Sequence, residues 1–273
     1  MDVNCSPPAA VAEALANKVG VKKTQNSFKN LLILGILAGV YIAFGAQLAT
    51  IVGHDISKFL GVGIAKLVIG GVFSVGLMLV VIAGAELFTG NNLIMMSVLN
   101  KKATVGSMLR NWGIVFFANL IGSLLIVWLI HSSGLLNVND GAVGAKAVAI
   151  ANGKVNLGFM EAFSRAILCN WLVCLAVWLA VAARTVIGKI FACFFPIMAF
   201  VASGFEHSIA NMYFIPIGIL NKGMAVAGLD VSNLNLSGFI VTNLIPVTLG
   251  NIVGGAFFVS TLYYFVFLKG KKA

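Results

Sequence analysis

Apolar stretches of about 20 residues or more, joined by short polar connections, run along almost the whole chain, and each is long enough to cross roughly 30 Å of hydrocarbon as an α-helix. The pattern predicts an all-α membrane protein with spans at 30–53, 67–99, 111–130, 158–183, 190–220 and 238–268. At a rise of about 1.5 Å per residue the second and fifth overshoot a bilayer. Each also carries a polar interruption, so both are expected to be broken inside the membrane. The connections 131–157 and 221–237 carry Gly, Asn and Asp and read as external loops. The polar stretch 1–29 has no apolar run before a small-residue cleavage site, and is expected to stay attached as a cytoplasmic segment.

The two interruptions match without a gap. Gly84-Ala85-Glu86-Leu87-Phe88-Thr89-Gly90-Asn91 and Gly204-Phe205-Glu206-His207-Ser208-Ile209-Ala210-Asn211 both read Gly-x-Glu-x4-Asn. Asn111, Asn119 and Gly122 recur at the same separations as Asn243, Asn251 and Gly254. Two repeats follow, 30–135 and 155–268, within one transmembrane domain spanning 1–273. Each holds three spans, an odd number, so the copies are expected to enter the membrane from opposite sides. In inverted folds of this kind the transport path lies at the repeat interface, where broken helices bring their ends to the midplane. Freed backbone is tolerated at that depth only where protein buries it or a cavity adjoins it.

Composition excludes a soluble domain, since 60% of the residues are hydrophobic and 10% charged. The formal charge of +10 would suit nucleic acid only if it were gathered on one face, but the basic residues lie between spans. They read as topology determinants. With both termini inside, 12 of the 18 Lys and Arg fall on the cytoplasmic side: Lys18, Lys22, Lys23, Lys29, Lys101, Lys102, Arg110, Arg184, Lys189, Lys269, Lys271 and Lys272. Cys5, Cys169, Cys174 and Cys193 form no Cys-x-x-Cys pair, so no metal or redox cofactor is expected and the three in apolar stretches read as packing.

Glu86, Glu206 and His207 are the ionisable residues placed deep in spans, where a charge costs about 2.5–3.5 kcal/mol on insertion scales. The glutamates, with Asn91 and Asn211, are expected to support the helix breaks by accepting hydrogen bonds from freed amides. His207 has Leu87 at the matching position of the first repeat, and this asymmetry favours a role as donor to an anion over that of a core histidine. Thr89 offers a hydroxyl donor or a helix cap. Lys154 either draws anions into a vestibule or is solvated. Phe73, Leu77, Leu87 and Phe200 flank the breaks and form either apolar constrictions or ordinary core. Gly35-x3-Gly39 and Gly250-x3-Gly254 allow close helix approach, within or between subunits.

The strings Gly84 to Asn91, Val201 to Met212 and Asn243 to Asn251 resemble signatures of the formate/nitrite transporter family. The resemblance implies an aquaporin-like fold of six helices, a homopentamer in the cell inner membrane, and a pore in each subunit for small monovalent anions. By position, Leu87, Asn170 and Val173 would form a cytoplasmic constriction and Phe73, Leu77 and Phe200 an outer one. Thr89 and His207 would face the anion between them, with Lys154 adding positive potential. Formate channels of the family tend to carry Asp-Leu-Phe-Thr-Ser-Thr at the first break. Glu86-Leu87-Phe88-Thr89-Gly90-Asn91 looks closer to the hydrosulfide branch, which ranks hydrosulfide first and formate or nitrite second. Two rivals stand beside a channel: a proton-coupled symporter cycling His207, and an intramembrane enzyme using Ser203 with His207 as base.

Overall fold

The computed structural model describes residues 5–270. Lys271, Lys272 and the first four residues of the amino-terminal segment lie outside them. A leading helix, 8–25 (α1), is followed by Phe28–Gly53 (α2), which begins where the Ser27 hydroxyl accepts the Asn30 amide at 3.2 Å, an N-cap. Ser57–Gly84 (α3) and 88–99 (α4) come next. Val105–Ser132 (α5) opens on a reciprocal pair, with each of Thr104 and Ser107 accepting the other's amide at 3.1 Å. Ala142–Val155 (α6), Phe159–Ala182 (α7), Val186–Ala202 (α8), Ser208–Leu220 (α9) and Gly238–Phe267 (α10) complete the chain.

Among the described residues α2, α3, α5, α7 and α10 are long and apolar enough to cross a membrane. The expected span 190–220 is two shorter apolar helices, α8 and α9, separated by the second interruption. Two expectations need correction. The helix before the first interruption starts at Ser57, not at 67, with a kink at Gly61 (φ 69°), and the sequence hid its opening turns because they carry Ser57, Lys58 and Lys66. The connection 131–157 is not a loop throughout, since it contains α6. Val143, Ala147, Ala151 and Val155, spaced four apart, bury one side of that helix, and it packs on α9. Fourteen residues are too few to register as a span, and the Gly and Asn flanking them mask the period.

Local contacts sort the helix ends into two groups. Cys5 pairs with Ala183 as an isolated antiparallel bridge, Asn100 Nδ2 donates to Asn17 Oδ1 at 2.8 Å, and the start of α1 packs on the last turns of α10. At the other group, Asn139 Nδ2 bonds His54 Nε2 at 3.0 Å and His131 Nδ1 meets Asn221 Oδ1 at 3.0 Å. Large apolar side chains such as Phe59, Trp128, Ile187 and Val266 point away from the protein, at 61–77% exposure, as lipid or a neighbouring chain requires.

The small-x3-small motifs pack within the subunit. A Cβ on Gly39 would strike the backbone carbonyl of Asn119 in α5, and one on Gly254 that of Ile167 in α7. Gly39→Val is therefore expected to lower stability by about 1–3 kcal/mol, because backbone cannot yield as a side chain can. Thermal unfolding of detergent-solubilised protein checks this against Gly113→Ala, which meets nothing within 4 Å and is expected to stay at or above wild type. An undiminished melting temperature for Gly39→Val would remove the packing argument.

Candidate permeation site

The two interruptions are alike in backbone detail. Gly84 (φ 89°) and Gly204 (φ 76°) occupy the left-handed region and end their helices. The next amide then reaches back five residues, Ala85 N–H to Val80 O at 2.9 Å and Phe205 N–H to Phe200 O at 3.1 Å. Glu86 N–H crosses to Leu34 O at 3.1 Å, and Glu206 N–H to Arg165 O at 3.3 Å. What remains is served by two asparagines. Asn119 Oδ1 accepts Phe88 N–H at 3.0 Å while its Nδ2 donates to Gly35 O and Glu86 O at 2.7 and 2.9 Å. Asn251 Oδ1 accepts Ser208 N–H at 2.9 Å while its Nδ2 donates to Ala166 O and Glu206 O at 2.8 and 3.0 Å.

A second layer repeats as closely. Glu86 accepts Lys23 Nζ at 2.8 Å and Asn91 Nδ2 at 2.7 Å, and Asn91 also donates to Asn111 Oδ1 at 2.8 Å. Glu206 accepts Lys154 Nζ at 2.8 Å and Asn211 Nδ2 at 2.7 Å, and Asn211 also donates to Asn243 Oδ1 at 2.7 Å. Asn111 and Asn243 each return a bond of 3.0 Å to the backbone carbonyl of the lysine, Lys23 or Lys154. The carboxylates thus tie a lysine to the start of the following helix. The freed amides go instead to Asn119 and Asn251, a different division of labour from the expected one.

The breaks meet at Thr89 and His207. Thr89 Oγ1 lies 2.9 Å from His207 Nε2, and both residues are buried. His207 Nδ1 accepts Ala210 N–H at 3.1 Å, so the ring proton sits on Nε2 and faces the threonine. On the His207 side lies a cavity of about 220 Å³ walled by Phe73, Phe200, Phe214, Lys154 and Glu206. On the Leu87 side lies one of about 190 Å³ walled by Leu77, Val80, Leu87, Asn91 and Lys23. Phe200 stacks on His207 with centroids 5.9 Å apart and meets Phe73 edge-on at 5.8 Å. Lys154 Nζ stands 5.4 Å from the Phe214 ring centre, at cation–π distance.

Most of the residues singled out by sequence therefore converge here, with some regrouping. Leu77 borders the cavity of Leu87, whereas Phe73 and Phe200 border that of His207. Asn170 and Val173 are buried and border neither cavity. The Asn170 amide is taken up by Thr89 O at 3.2 Å, Asn92 Oδ1 at 2.8 Å and Asn251 O at 2.6 Å. Lys154 is not a solvated loop lysine, since it is the last basic residue of α6 and is paired with Glu206. Both nitrogens of His207 are engaged by Thr89 and Ala210, so neither is turned to Ser203 as the enzyme reading requires. Sequence reasoning missed Lys23 and Phe214. The signal for Lys23 was present, because Lys23 precedes Phe28 by the same five positions as Lys154 precedes Phe159. Among the described residues no cluster of metal-binding side chains occurs.

Comparison with known proteins gives a consistent match. A family profile described as formate/nitrite transporter covers residues 9–265. A probable formate transporter from Methanothermobacter thermautotrophicus is 46% identical, over 96% of this chain and 97% of its own. The formate channel FocA of Escherichia coli K12 is 40% identical, over 96% and 94%. Among solved structures, a pentameric formate channel with formate bound superposes with a TM-score of 0.79 at 38% identity, covering 89% of this chain and 98% of that one. An FNT family ion channel superposes at 0.75 with 29% identity, covering 95% of each.

The hydrogen-bond layers rank the scaffold residues. Asn119→Ala strands one amide and two carbonyls, each costing about 1–3 kcal/mol when buried without a partner. Glu86→Ala strands a lysine that still has a path to water, Lys23 being about a quarter exposed. The expected order of loss in folded protein, read by size-exclusion yield and melting temperature in detergent, is Asn119→Ala well beyond Glu86→Ala, with Asn251→Ala and Glu206→Ala in the same order. Equal yields for Asn119→Ala and wild type would show that the break does not depend on the asparagine.

Proposed function

The chain belongs to the formate/nitrite transporter family, and we propose that it is a homopentameric channel of the cell inner membrane that passes small monovalent anions through a pore in each subunit. The path runs between the two cavities across Thr89 and His207. The observation that carries this reading is that bond itself, an O–H and a neutral N–H side by side where two helix breaks meet, with a largely apolar cavity on either side. An arriving anion replaces the bond between the two with hydrogen bonds from both. Phe73 and Phe200 on one side, and Leu77 and Leu87 on the other, form constrictions that strip water and reject larger ions.

The same reading takes the two repeats, 30–135 and 155–268, as inverted three-span units making six spans in all. The matched networks around Glu86 and Glu206 support it, as does the alternation of helix ends between two sides. Both termini are assigned to the cytoplasm, on the side holding Lys101, Lys102, Arg184 and Lys189. Formate takes first place among substrates because the relatives compared are named for it. Hydrosulfide, favoured by the Gly90-Asn91 departure at the first break, and nitrite follow. Lys154 contributes a potential tempered by Glu206, and its pairing fixes the cavity wall. Asn170 and Val173 act behind the pathway surface, Asn170 by holding the Thr89 and Asn251 carbonyls.

Reconstitution of the pentamer into liposomes, with currents recorded for formate, hydrosulfide, nitrite and chloride, tests the function. The expected result is current for the first three that follows the anion gradient without a fixed proton count, whereas stoichiometric acidification would replace the channel by a symporter. His207→Phe keeps a flat ring and removes both nitrogens, and is expected to cut formate flux at least about tenfold, as loss of a hydrogen bond donated to a charged group implies, with the pentamer intact. Wild-type flux in that variant would reduce the histidine to filler. Leu87→Val widens an apolar wall and is expected to raise flux while leaving the order of anions unchanged, measured at matched protein density.

A further inference from the structure

Beyond the cavity of His207 a larger one, of about 560 Å³, opens where α2 ends, with His54, Lys58, Asp140, Lys146 and Met224 in its wall. Lys146 belongs to both cavities. Lys146, Ile150 and Lys154 stand four residues apart on α6, and residues so spaced lie on one face of a helix. Ala142, four residues earlier, carries the same stripe into the larger cavity. The two lysines are about 12 Å apart along the helix at 1.5 Å per residue. That exceeds the Debye length of about 8 Å at physiological ionic strength, so each acts on a passing ion in turn.

The charges along this track are not equivalent. Lys154 is held by Glu206 at 2.8 Å. Among the described residues Lys146 and Lys58 make no ion pair, and Asp140 is the one carboxylate in the wall of the larger cavity. Asp55 lies 3.6 Å from His54. The larger cavity therefore keeps a net positive wall, and its unpaired ammonium nearest the pathway is the one shared with it.

We propose that the larger cavity is an antechamber that collects a small monovalent anion, and that Lys146 is the positioning residue that passes it along α6 to Lys154 and His207. This rests on the anion-channel reading above. Such a residue governs entry and leaves the crossing at Thr89 and His207 unchanged. Its removal lowers flux where arrival limits the rate, at low anion concentration and low ionic strength.

The test uses the full-length pentamer in proteoliposomes, with initial formate flux measured against formate concentration at low ionic strength and again in about 0.5 M of an impermeant salt, where the Debye length shrinks to a few ångströms. Lys146→Gln is expected to lose about two- to fivefold in flux at low formate and low salt, less than the roughly 10- to 1,000-fold that a whole charged cleft supplies, since one charge of several is removed. It should converge on wild type at saturating formate or high salt. Lys146→Arg keeps the charge and is expected to match wild type, as is Lys102→Gln, which lies in the other group of helix ends. A Lys146→Gln flux equal to wild type at low salt overturns the antechamber while wild-type conduction leaves the channel standing. A loss of the same size at every concentration and salt also overturns it, since that is the mark of a packing role. A wild-type protein that passes none of the tested anions overturns both readings.

Discussion

A helix broken at membrane depth frees amides and carbonyls that neither water nor lipid can take up, and each such group costs several kcal/mol if left alone. Here the cost is met by one asparagine per break. Asn119 and Asn251 each use the carbonyl oxygen for the first amide of the new helix and the amide nitrogen for two carbonyls, one on the broken segment and one on a neighbouring helix. That geometry dictates much else. Asn119 on α5 can reach Gly35 O on α2 only if the two helices nearly touch, and the touching is possible because Gly39 has no side chain where the Asn119 carbonyl passes. In the other half Asn251 on α10 reaches Ala166 O on α7, and Gly254 lets the Ile167 carbonyl pass as Gly122 on α5 lets that of Ile36 pass. The glycines, asparagines and breaks are one construction made twice.

The charged layer is built on that construction and explains why glutamates are tolerated so deep. Neither Glu86 nor Glu206 is isolated, since each receives a lysine ammonium and an asparagine amide, and each lysine is itself anchored through its backbone carbonyl. A buried ion pair adds little stability by itself, because desolvation consumes most of the Coulombic gain. Its value here is positional. It ties the segment before a long helix, 8–25 in one case and α6 in the other, to the start of the helix that follows the break, and so closes the wall of each cavity.

Those physical dependencies set what was legible in the chain. The apolar runs, the two interruptions and the repeated spacings of Asn111, Asn119, Asn243 and Asn251 are local signals, and the structure gives each a place. The partners of those asparagines are 20 to 89 residues away and could not be read from spacing, so the carboxylates were credited with bonds that the asparagines make. Lys23 was taken for a topology signal because it sits in a polar segment. Its equivalence to Lys154 appears only when the repeat is extended upstream of the spans, to the lysines five residues before Phe28 and Phe159. The helix α6 was hidden by its shortness, and Leu77 could be grouped with Leu87 only once the cavities were in view.

The two matched segments agree in scaffold and differ at the residues through which the proposed path runs. At the position after each glutamate the first repeat has Leu87 and the second His207, and two positions later the first has Thr89 and the second Ile209. Polar and apolar have been exchanged between the copies. The exchange brings the polar member of one break against the polar member of the other, Thr89 to His207, while the corresponding positions left over, Leu87 and Ile209, are both apolar and buried. A duplicated histidine would put two imidazoles at the crossing, and an undiversified leucine pair would put none. On the proposed channel reading, one hydroxyl and one imidazole would give an anion two donors and no fixed opposite charge. On that same reading, an ion that sheds its water between largely apolar walls would gain enough from two neutral hydrogen bonds to enter, and too little to stay, which is the balance conduction requires.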